Sequence, residues 1–199
     1  MTNMISDEEL MSQVRSGVGE MLGVLFERYQ HPLFNFFYKL TGNRAVSEDL
    51  VQEVFLRILK YRHSYRSETG FRAWLYQIAR NARVDLLRRR QHTEVSWEPE
   101  MSPGVVPDDS AQQQQESALL YMALQELPEE KREVLVLSRF QDLKYEQIAE
   151  IVGCEVSTVK VKVHRALHDL REIFRGLDRG KLLRKSDLKG THPRPGSLQ

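Results

Sequence analysis

One stretch of the chain, residues 74–91, "WLYQIARNARVDLLRRRQ", combines the side chains that hold and stack nucleic acid. It opens with an aromatic ring, carries apolar residues at helical spacing and ends near three consecutive arginines. Arginines hold a phosphate backbone, and aromatic rings stack on exposed bases. Because a duplex hides the faces of its bases, stacking side chains imply an unpaired strand or a flipped base. The stretch therefore indicates a contact surface for single-stranded nucleic acid.

A helical wheel separates this stretch into two faces. At about 100° per residue, one face is apolar and contains Phe71, Leu75, Ile78, Ala79, Ala82 and Leu86. Tyr76, Arg80 and Arg83 lie on the opposite side, which predicts an exposed stripe of aromatic and basic side chains. Arg88, Arg89 and Arg90 extend the positive charge beyond it.

The predicted loop "RHSYRSETG" just before this helix adds further rings. Tyr61, His63 and Tyr65 precede Phe71 and Trp74, so the loop and the helix together could hold a base. The alternative is that the rings close the core of the domain. It applies mainly to Phe71 and Trp74, because a polar loop carries the two tyrosines.

A second motif has the spacing of a helix-turn-helix. Ile148 and Val152 lie four residues apart on a short helix, Gly153 follows at its end, and Ser157 opens a longer helix. The outward residues of the longer helix are Ser157, Thr158, Lys160, Val161, Lys162, His164 and Arg165. Such a helix fits the DNA major groove. The alternative is a two-helix element for protein contact with a solvated basic face.

The periodicity is helical along the whole chain, which predicts an all-α fold. Ser6 and Glu9 have the spacing of a capping box, and Ser47 is expected to cap the helix "SEDLVQEVFLRILKY". Pro32 is expected to kink or split the helix that contains it.

The net charge of +1 hides a segregation along the chain. Residues 1–92 carry a net charge of +4, residues 93–116 carry −6, and residues 178–199 carry +4. The acidic block also contains three prolines and the run "QQQQ". We therefore expect two domains, 1–92 and 117–177, a flexible acidic linker at 93–116, and a basic, disordered tail at 178–199. The linker is either a plain spacer or a mimic of RNA charge in a basic channel.

Little in the sequence favours an enzyme. The single cysteine, Cys154, excludes a disulfide framework and a cysteine-cluster zinc site. A nuclease needs clustered carboxylates for metal, and the one acidic cluster lies in the predicted linker. No window approaches 18 apolar residues, and the acidic "MTNMISDEEL" is unlike a signal peptide. We expect no catalytic site, no cofactor, no metal, no membrane insertion and a cytoplasmic location.

Four motifs in order carry a resemblance to a known family. They are "SEDLVQEVFLRIL", "FRAWLYQIARNARVDLLRRRQ", "LPEEKREVLVLSRFQDLKYEQIAEIVG" and "STVKVKVHRALHDL". With "LFERYQHPLFNFFYKLTGN" they cover most of residues 10–175. The chain resembles the extracytoplasmic-function (ECF) sigma factors of the bacterial sigma-70 family. The resemblance implies two small helical domains, a sigma2 bundle and a sigma4 helix-turn-helix, without the middle domain of larger relatives.

The resemblance also implies partners and site residues. Asp49, Gln52 and Glu53 match positions that meet the clamp coiled coil of the largest subunit of RNA polymerase. The loop 61–70 and the helix through Asn81 match the element that captures a flipped base of the −10 promoter sequence. The helix 157–168 matches the −35 recognition helix. Further implied partners are the flap of the second-largest subunit, which meets sigma4, and an anti-sigma factor.

The recognition helix departs from the family pattern, and a second function also fits part of the sequence. Val161 and Lys162 stand where many members of the family have serine and arginine, which leaves the −35 sequence undetermined. The competing function is a stand-alone helix-turn-helix regulator of transcription. Such a regulator would need neither "SEDLVQEVF" nor the aromatic–arginine helix.

Overall fold

The computed structural model describes residues 5–91 and 111–187. In these two ranges the α-helices are α1 (Asp7–Ser16), α2 (Glu20–Thr41), α3 (Arg44–Tyr61), α4 (Phe71–Gln91), α5 (Ala111–Glu126), α6 (Glu129–Arg139), α7 (Tyr145–Val152) and α8 (Val156–Asp187). Short 3-10 turns at Arg62–Ser64 and Ser67–Thr69 form the loop between α3 and α4. No strand occurs in the described residues. The predicted all-α fold is confirmed.

One predicted helix start is confirmed and one is wrong. The capping box of α1 is confirmed, because Ser6 and Glu9 bond reciprocally. The predicted Ser47 cap is wrong: α3 begins four residues earlier, and the side chain of Asn43 accepts from the Val46 N–H at 2.9 Å. Ser47 is buried, and its hydroxyl donates to the Asn43 carbonyl at 2.6 Å. Helix α2 continues through Pro32, so the chain is not split there.

The first bundle consists of α1 to α4, in which α2 packs on α1 and α3, and α3 on α4. Its core contains the fully buried side chains Leu25, Leu33, Phe36, Phe37, Ile58 and Leu75. The rings of Phe26 and Phe55 meet edge to face at 4.9 Å between centroids. This core fixes α4 and the loop before it.

The second bundle consists of α5 to α8, in which α8 packs on α5, α6 and α7. Val159 and Val163 of α8 are buried, as predicted for its inner face. Gly153 ends α7 with φ 75° in the left-handed region, where a side chain would be strained. The short helix, glycine turn and long helix of the predicted helix-turn-helix are therefore present.

Two predicted boundaries need correction. Helix α5 begins at Ala111, so residues 111–116 of the predicted linker are helical. Glutamine is a good helix former, and the "QQQQ" run lies inside this helix. Helix α8 ends at Asp187, so the predicted disorder of residues 178–187 is wrong. The remaining linker residues 93–110 and tail residues 188–199 lie outside the described residues.

The two bundles contact each other through α2 with α5 and α6, and through α4 with α7. Their buried apolar side chains form one continuous cluster. A search of the described residues finds no helix long and apolar enough to cross a membrane.

Candidate nucleic-acid interface

Helix α4 places its apolar face in the core of the first bundle, as predicted. Phe71, Leu75 and Ala79 are fully buried. The predicted exposure of the opposite stripe is wrong in this conformation. Tyr76 is fully buried and Arg83 is only 4% exposed, because α6 of the second bundle and the Gln141 segment after it lie over the stripe.

The covered arginines bind two glutamates of α6. Arg83 Nη2 lies 2.5 Å from Glu129 Oε1, and Arg83 Nη1 lies 3.5 Å from Glu133 Oε1. Arg80 Nε lies 3.3 Å from Glu133 Oε2. A buried charge is tolerated only when an opposite charge and hydrogen bonds replace its water. The two glutamates supply that replacement for the arginines of α4.

Tyr76 makes a second polar contact beneath α6. Its hydroxyl donates to Oε1 of Gln141, which is itself buried. Its ring meets the edge of Phe36 at 5.2 Å between centroids. Burial raises the pKa of the Tyr76 phenol above its ordinary value, so the hydroxyl stays protonated and remains a donor. In this conformation Tyr76 is a core residue.

The loop before α4 turns the ring of Tyr65 inward, against the rings of the helix that follows. Tyr65 is 2% exposed, and its ring lies 5.1 Å from that of Trp74 and 6.2 Å from that of Phe71. The interpretation of Tyr65 as an exposed stacking ring is therefore wrong. The polar residues around it face outward while its ring turns inward. Tyr61 is 47% exposed, and the ammonium of Lys60 lies 5.4 Å from its ring centroid.

Helix α1 supports the same loop. Glu8 Oε1 accepts from the Phe71 N–H at 3.1 Å, and Arg15 Nη1 donates to the Tyr65 carbonyl at 3.4 Å. Burial, together with nearby acidic groups such as Glu8, raises the pKa of the Tyr65 phenol to about 12. The Tyr65 hydroxyl has no hydrogen-bond partner among the described residues.

We expect Tyr65→Phe to stabilise the fold by about 1 kcal/mol, because a buried unsatisfied polar group costs about 1–3 kcal/mol. Urea unfolding monitored by circular dichroism measures the change. Tyr61→Phe at the exposed ring is the control and should leave the midpoint unchanged. A Tyr65→Phe variant less stable than the control would show that the hydroxyl is bonded.

A pocket of about 250 Å³ lies beside Trp74. The first bundle lines it with Ser64, Arg66, Ala73, Trp74 and Gln77, and α7 lines it with Glu150 and Ile151. Trp74 is half-buried, and Asn81 is exposed about two helical turns further along α4. Arg88 and Arg89 are exposed at the end of α4, and Arg90 is half-buried.

A separate acidic face lies on α3. Asp49 and Gln52 are exposed, and Glu53 is half-buried. Glu53 Oε1 binds Arg57 Nε at 2.7 Å, and Arg57 Nη1 binds Asp85 Oδ2 of α4 at 2.7 Å. Leu56 and Leu59, which no sequence pattern above singled out, are 62% and 38% exposed on the same helix. Their positions off the buried stripe of α3 were the available signal.

Helix α8 presents a basic outer face. Ser157, Thr158, Lys160, Val161, His164 and Arg165 are exposed, in agreement with the predicted orientation. Lys162 is half-buried, and its Nζ lies 3.8 Å from Glu130 Oε2. This face points away from the contacts between the bundles, since Val159, Val163 and Ala166 are the buried side.

Among residues 5–91 and 111–187, no group of three or more His, Cys, Asp and Glu side chains is arranged to hold a metal ion. Cys154 is a free, half-buried thiol in the turn between α7 and α8. Neither observation adds a chemical site to the surfaces described above.

Two family models match the chain. Sigma-70 region 2 matches residues 25–93, and sigma-70 region 4 matches residues 117–170. The chain is 32% identical to the RNA polymerase sigma factor CarQ of Myxococcus xanthus over 171 residues, which is 84% of this chain and 97% of that one. It is 28% identical to the ECF RNA polymerase sigma factor SigW of Bacillus subtilis, covering 84% of this chain and 96% of that one.

Solved structures share the fold. CnrH, in complex with the cytosolic domain of CnrY, has a TM-score of 0.66 at 23% identity, covering 85% of this chain and 97% of that one. The sigma factor RpoE of Bartonella quintana, in complex with the anti-sigma factor NepR, has a TM-score of 0.63 at 25% identity, covering 76% and 96%.

Proposed function

Because this chain belongs to the ECF group of the sigma-70 family, it binds RNA polymerase core and directs promoter-specific initiation of transcription, and we propose how its residues divide this work. The observation that carries the proposal is the pair of surfaces on two linked helical bundles. One surface is the aromatic and basic face of α4, and the other is the basic outer face of α8. An anti-sigma factor regulates the chain by binding it.

The proposed division adjusts the sequence boundaries to the two bundles. Residues 1–92 form the sigma2 domain, and residues 117–177 lie in the sigma4 domain, which extends from the start of α5 at Ala111 to the end of α8 at Asp187. The acidic linker and the basic tail are shortened accordingly, and the extents of the first and second bundles support this division. We propose a cytoplasmic location and no catalytic activity of the chain itself. A stand-alone regulator is disfavoured, because it would not need the acidic face of α3.

For the −10 element, the proposed surface is α4 and the loop before it. Arg80, Arg83 and Arg88–Arg90 hold phosphates of the upstream duplex and the emerging strand. The pocket beside Trp74, with Asn81 and the exposed ring of Tyr61, takes a flipped base. Unstacking a base costs a few kcal/mol and stacking returns about 1–3 kcal/mol per base, so one pocket plus the arginine charge can hold a short bubble.

For the −35 element, the proposed reader is the outer face of α8. Lys162 and Arg165 are the two side chains that we assign to guanine edges or phosphates. Ser157 and Thr158 lie at the helix N-terminus, where backbone N–H groups favour phosphate. Sigma4 also meets the flap of the second-largest polymerase subunit.

We expect Arg165→Ala to weaken binding to a promoter duplex by about 1–3 kcal/mol if the side chain is bidentate to a base. If it contacts phosphate alone, all duplexes should weaken evenly and the salt slope should fall by about one. Fluorescence anisotropy at several salt concentrations distinguishes these results, and the same test applies to Lys162→Ala. Arg175→Ala in the second half of α8 is the control. Wild-type affinity in both test variants would remove α8 as the reader.

For polymerase, the proposed anchor is the acidic face of α3 formed by Asp49, Gln52 and Glu53. It suits a basic helical partner such as the clamp coiled coil. We add Leu56 and Leu59 as its apolar part, because both lie exposed on the same helix. An interface needs such buried apolar contacts beside its polar ones.

A further inference from the structure

The contact between the two bundles covers the surface that the −10 strand requires. We infer that the free chain closes on itself, and that a cluster of six side chains holds it shut. This latch cluster consists of Tyr76, Arg80, Arg83, Glu129, Glu133 and Gln141. The inference rests on the proposed function, since it concerns access to the DNA surface of α4.

Opposite charges contributed by different bundles are buried against each other. Arg83 is 4% exposed and the side chain of Glu133 is 9% exposed. They lie 50 residues apart in sequence, so each finds the other only when the bundles meet. Two guanidinium groups of α4 face two carboxylates of α6, so each covered arginine has an opposite charge beside it. Removing one side of such a buried set strongly disfavours the contact.

A second set of contacts between the bundles lies at the end of α2. The last carbonyls of a helix lack partners within it. Here Gln125 Nε2 donates to the Lys39 carbonyl at 3.0 Å, and Arg132 Nη1 donates to the Leu40 carbonyl at 3.0 Å. The rings of Tyr38 and Tyr121 stack at 5.1 Å between centroids. The second bundle therefore completes the end of α2 and sets the relative orientation of the two bundles.

The approach of the bundles at this point is close. A Cβ atom added to Gly42 would lie 3.0 Å from the Tyr121 hydroxyl, and Gly42 has φ 68°. Only glycine adopts this backbone without strain and leaves room for the tyrosine. The end of α2 is thus shaped to receive α5.

The consequence is competition for the same arginines. Glu129 and Glu133 occupy the positions from which phosphates would bind Arg80 and Arg83. Glu150 and Ile151 of α7 close one side of the pocket beside Trp74. The closed chain therefore cannot bind a DNA strand on α4. The apparent affinity for DNA is the affinity of the open form multiplied by the fraction of molecules that are open.

A double variant, Glu129→Gln with Glu133→Gln, tests the latch in the full chain. It removes both carboxylates and keeps their size. The matched control, Glu146→Gln with Glu172→Gln, makes the same charge change at two exposed glutamates of the second bundle. Fluorophores at Ser12→Cys and Arg179→Cys, in a Cys154→Ser background, report the separation of the bundles by energy transfer.

We expect energy transfer to fall in the latch variant and to stay at the starting value in the control. Circular dichroism should show unchanged helix content in both. Equal transfer in the latch variant and its parent would overturn the inference.

The second readout is binding to a fluorescein-labelled dodecamer of thymidylate, because backbone contact and stacking tolerate any sequence. The latch variant should bind at least threefold more tightly than the control. Reduced energy transfer without tighter binding would contradict occlusion of the DNA surface. That result would reject the assignment of α4 to DNA and would leave the latch cluster as the contact that closes the chain.

Discussion

Asp49→Lys should reduce the affinity of the chain for RNA polymerase core by at least tenfold while leaving the fold intact. Asp49 is exposed on α3, beside Gln52 and one helical turn before Glu53. A lysine there would face the basic coiled coil with like charge, which costs several kcal/mol at a close contact. Asp49 is a cleaner choice than Glu53, because Glu53 also binds Arg57 within the chain.

Glu48→Lys provides the matched control. It makes the same change of charge at the neighbouring residue, whose one ion pair is an exposed contact with Arg44. Exposed pairs of this kind contribute little to stability. Pull-down of core enzyme at several chain concentrations measures both variants. Equal retention of the Asp49→Lys variant and the control would place the polymerase anchor elsewhere.

Arg80→Ala with Arg83→Ala should weaken binding to single-stranded DNA and lower its salt dependence. Two phosphate contacts on a single strand correspond to a slope change of about 1.4, since each contributes about 0.7. The measurement is made in the Glu129→Gln, Glu133→Gln background, because the same arginines also hold the latch cluster. Anisotropy of the labelled thymidylate dodecamer across salt concentrations gives the slope.

Arg171→Ala with Arg175→Ala removes the same charge from the second half of α8 and is the control. Its slope should remain within experimental error of the background variant. The glutamate pair and the arginine pair should change the affinity for single-stranded DNA in opposite directions. Loss of the glutamates should strengthen binding, and loss of the arginines should weaken it. An arginine variant with an unchanged slope would remove α4 from the DNA surface.

The sequence was sufficient to predict most of the local structure, because local structure depends on short-range patterns. The apolar period of α4 and the glycine turn before α8 each follow from residues within one or two helical turns. The Ser47 cap failed for a local reason: Asn43, another good capping residue, lies four residues upstream and begins α3 first.

The exposure of the α4 stripe could not be predicted in the same way. A helical wheel shows which side chains share a face, and it contains no information about what covers that face. Arg83 meets Glu129 and Glu133 across about 50 residues of chain, and Tyr76 meets Gln141 across 65. The balanced charges of α4 and α6 were visible in the sequence, but their meeting depends on the relative placement of two bundles.

The same distinction applies to Tyr65. Its neighbours in sequence are polar, which favours exposure of the whole loop. Its ring instead fills a space between Phe71 and Trp74 that exists only when α1 and α4 have packed. The stacking surface that remains is smaller than the sequence suggested, and it centres on Tyr61 and the pocket beside Trp74.

The most direct measurement is the sequencing of 5′ ends of transcripts made on genomic DNA by core polymerase with and without this chain. We predict a limited set of start sites that appears only when the chain is added. These sites should share two upstream sequence blocks, one at the −10 and one at the −35 position, and should vanish with Asp49→Lys and persist with Glu48→Lys. Start sites that are the same with and without the chain would contradict its role as a promoter-specificity subunit.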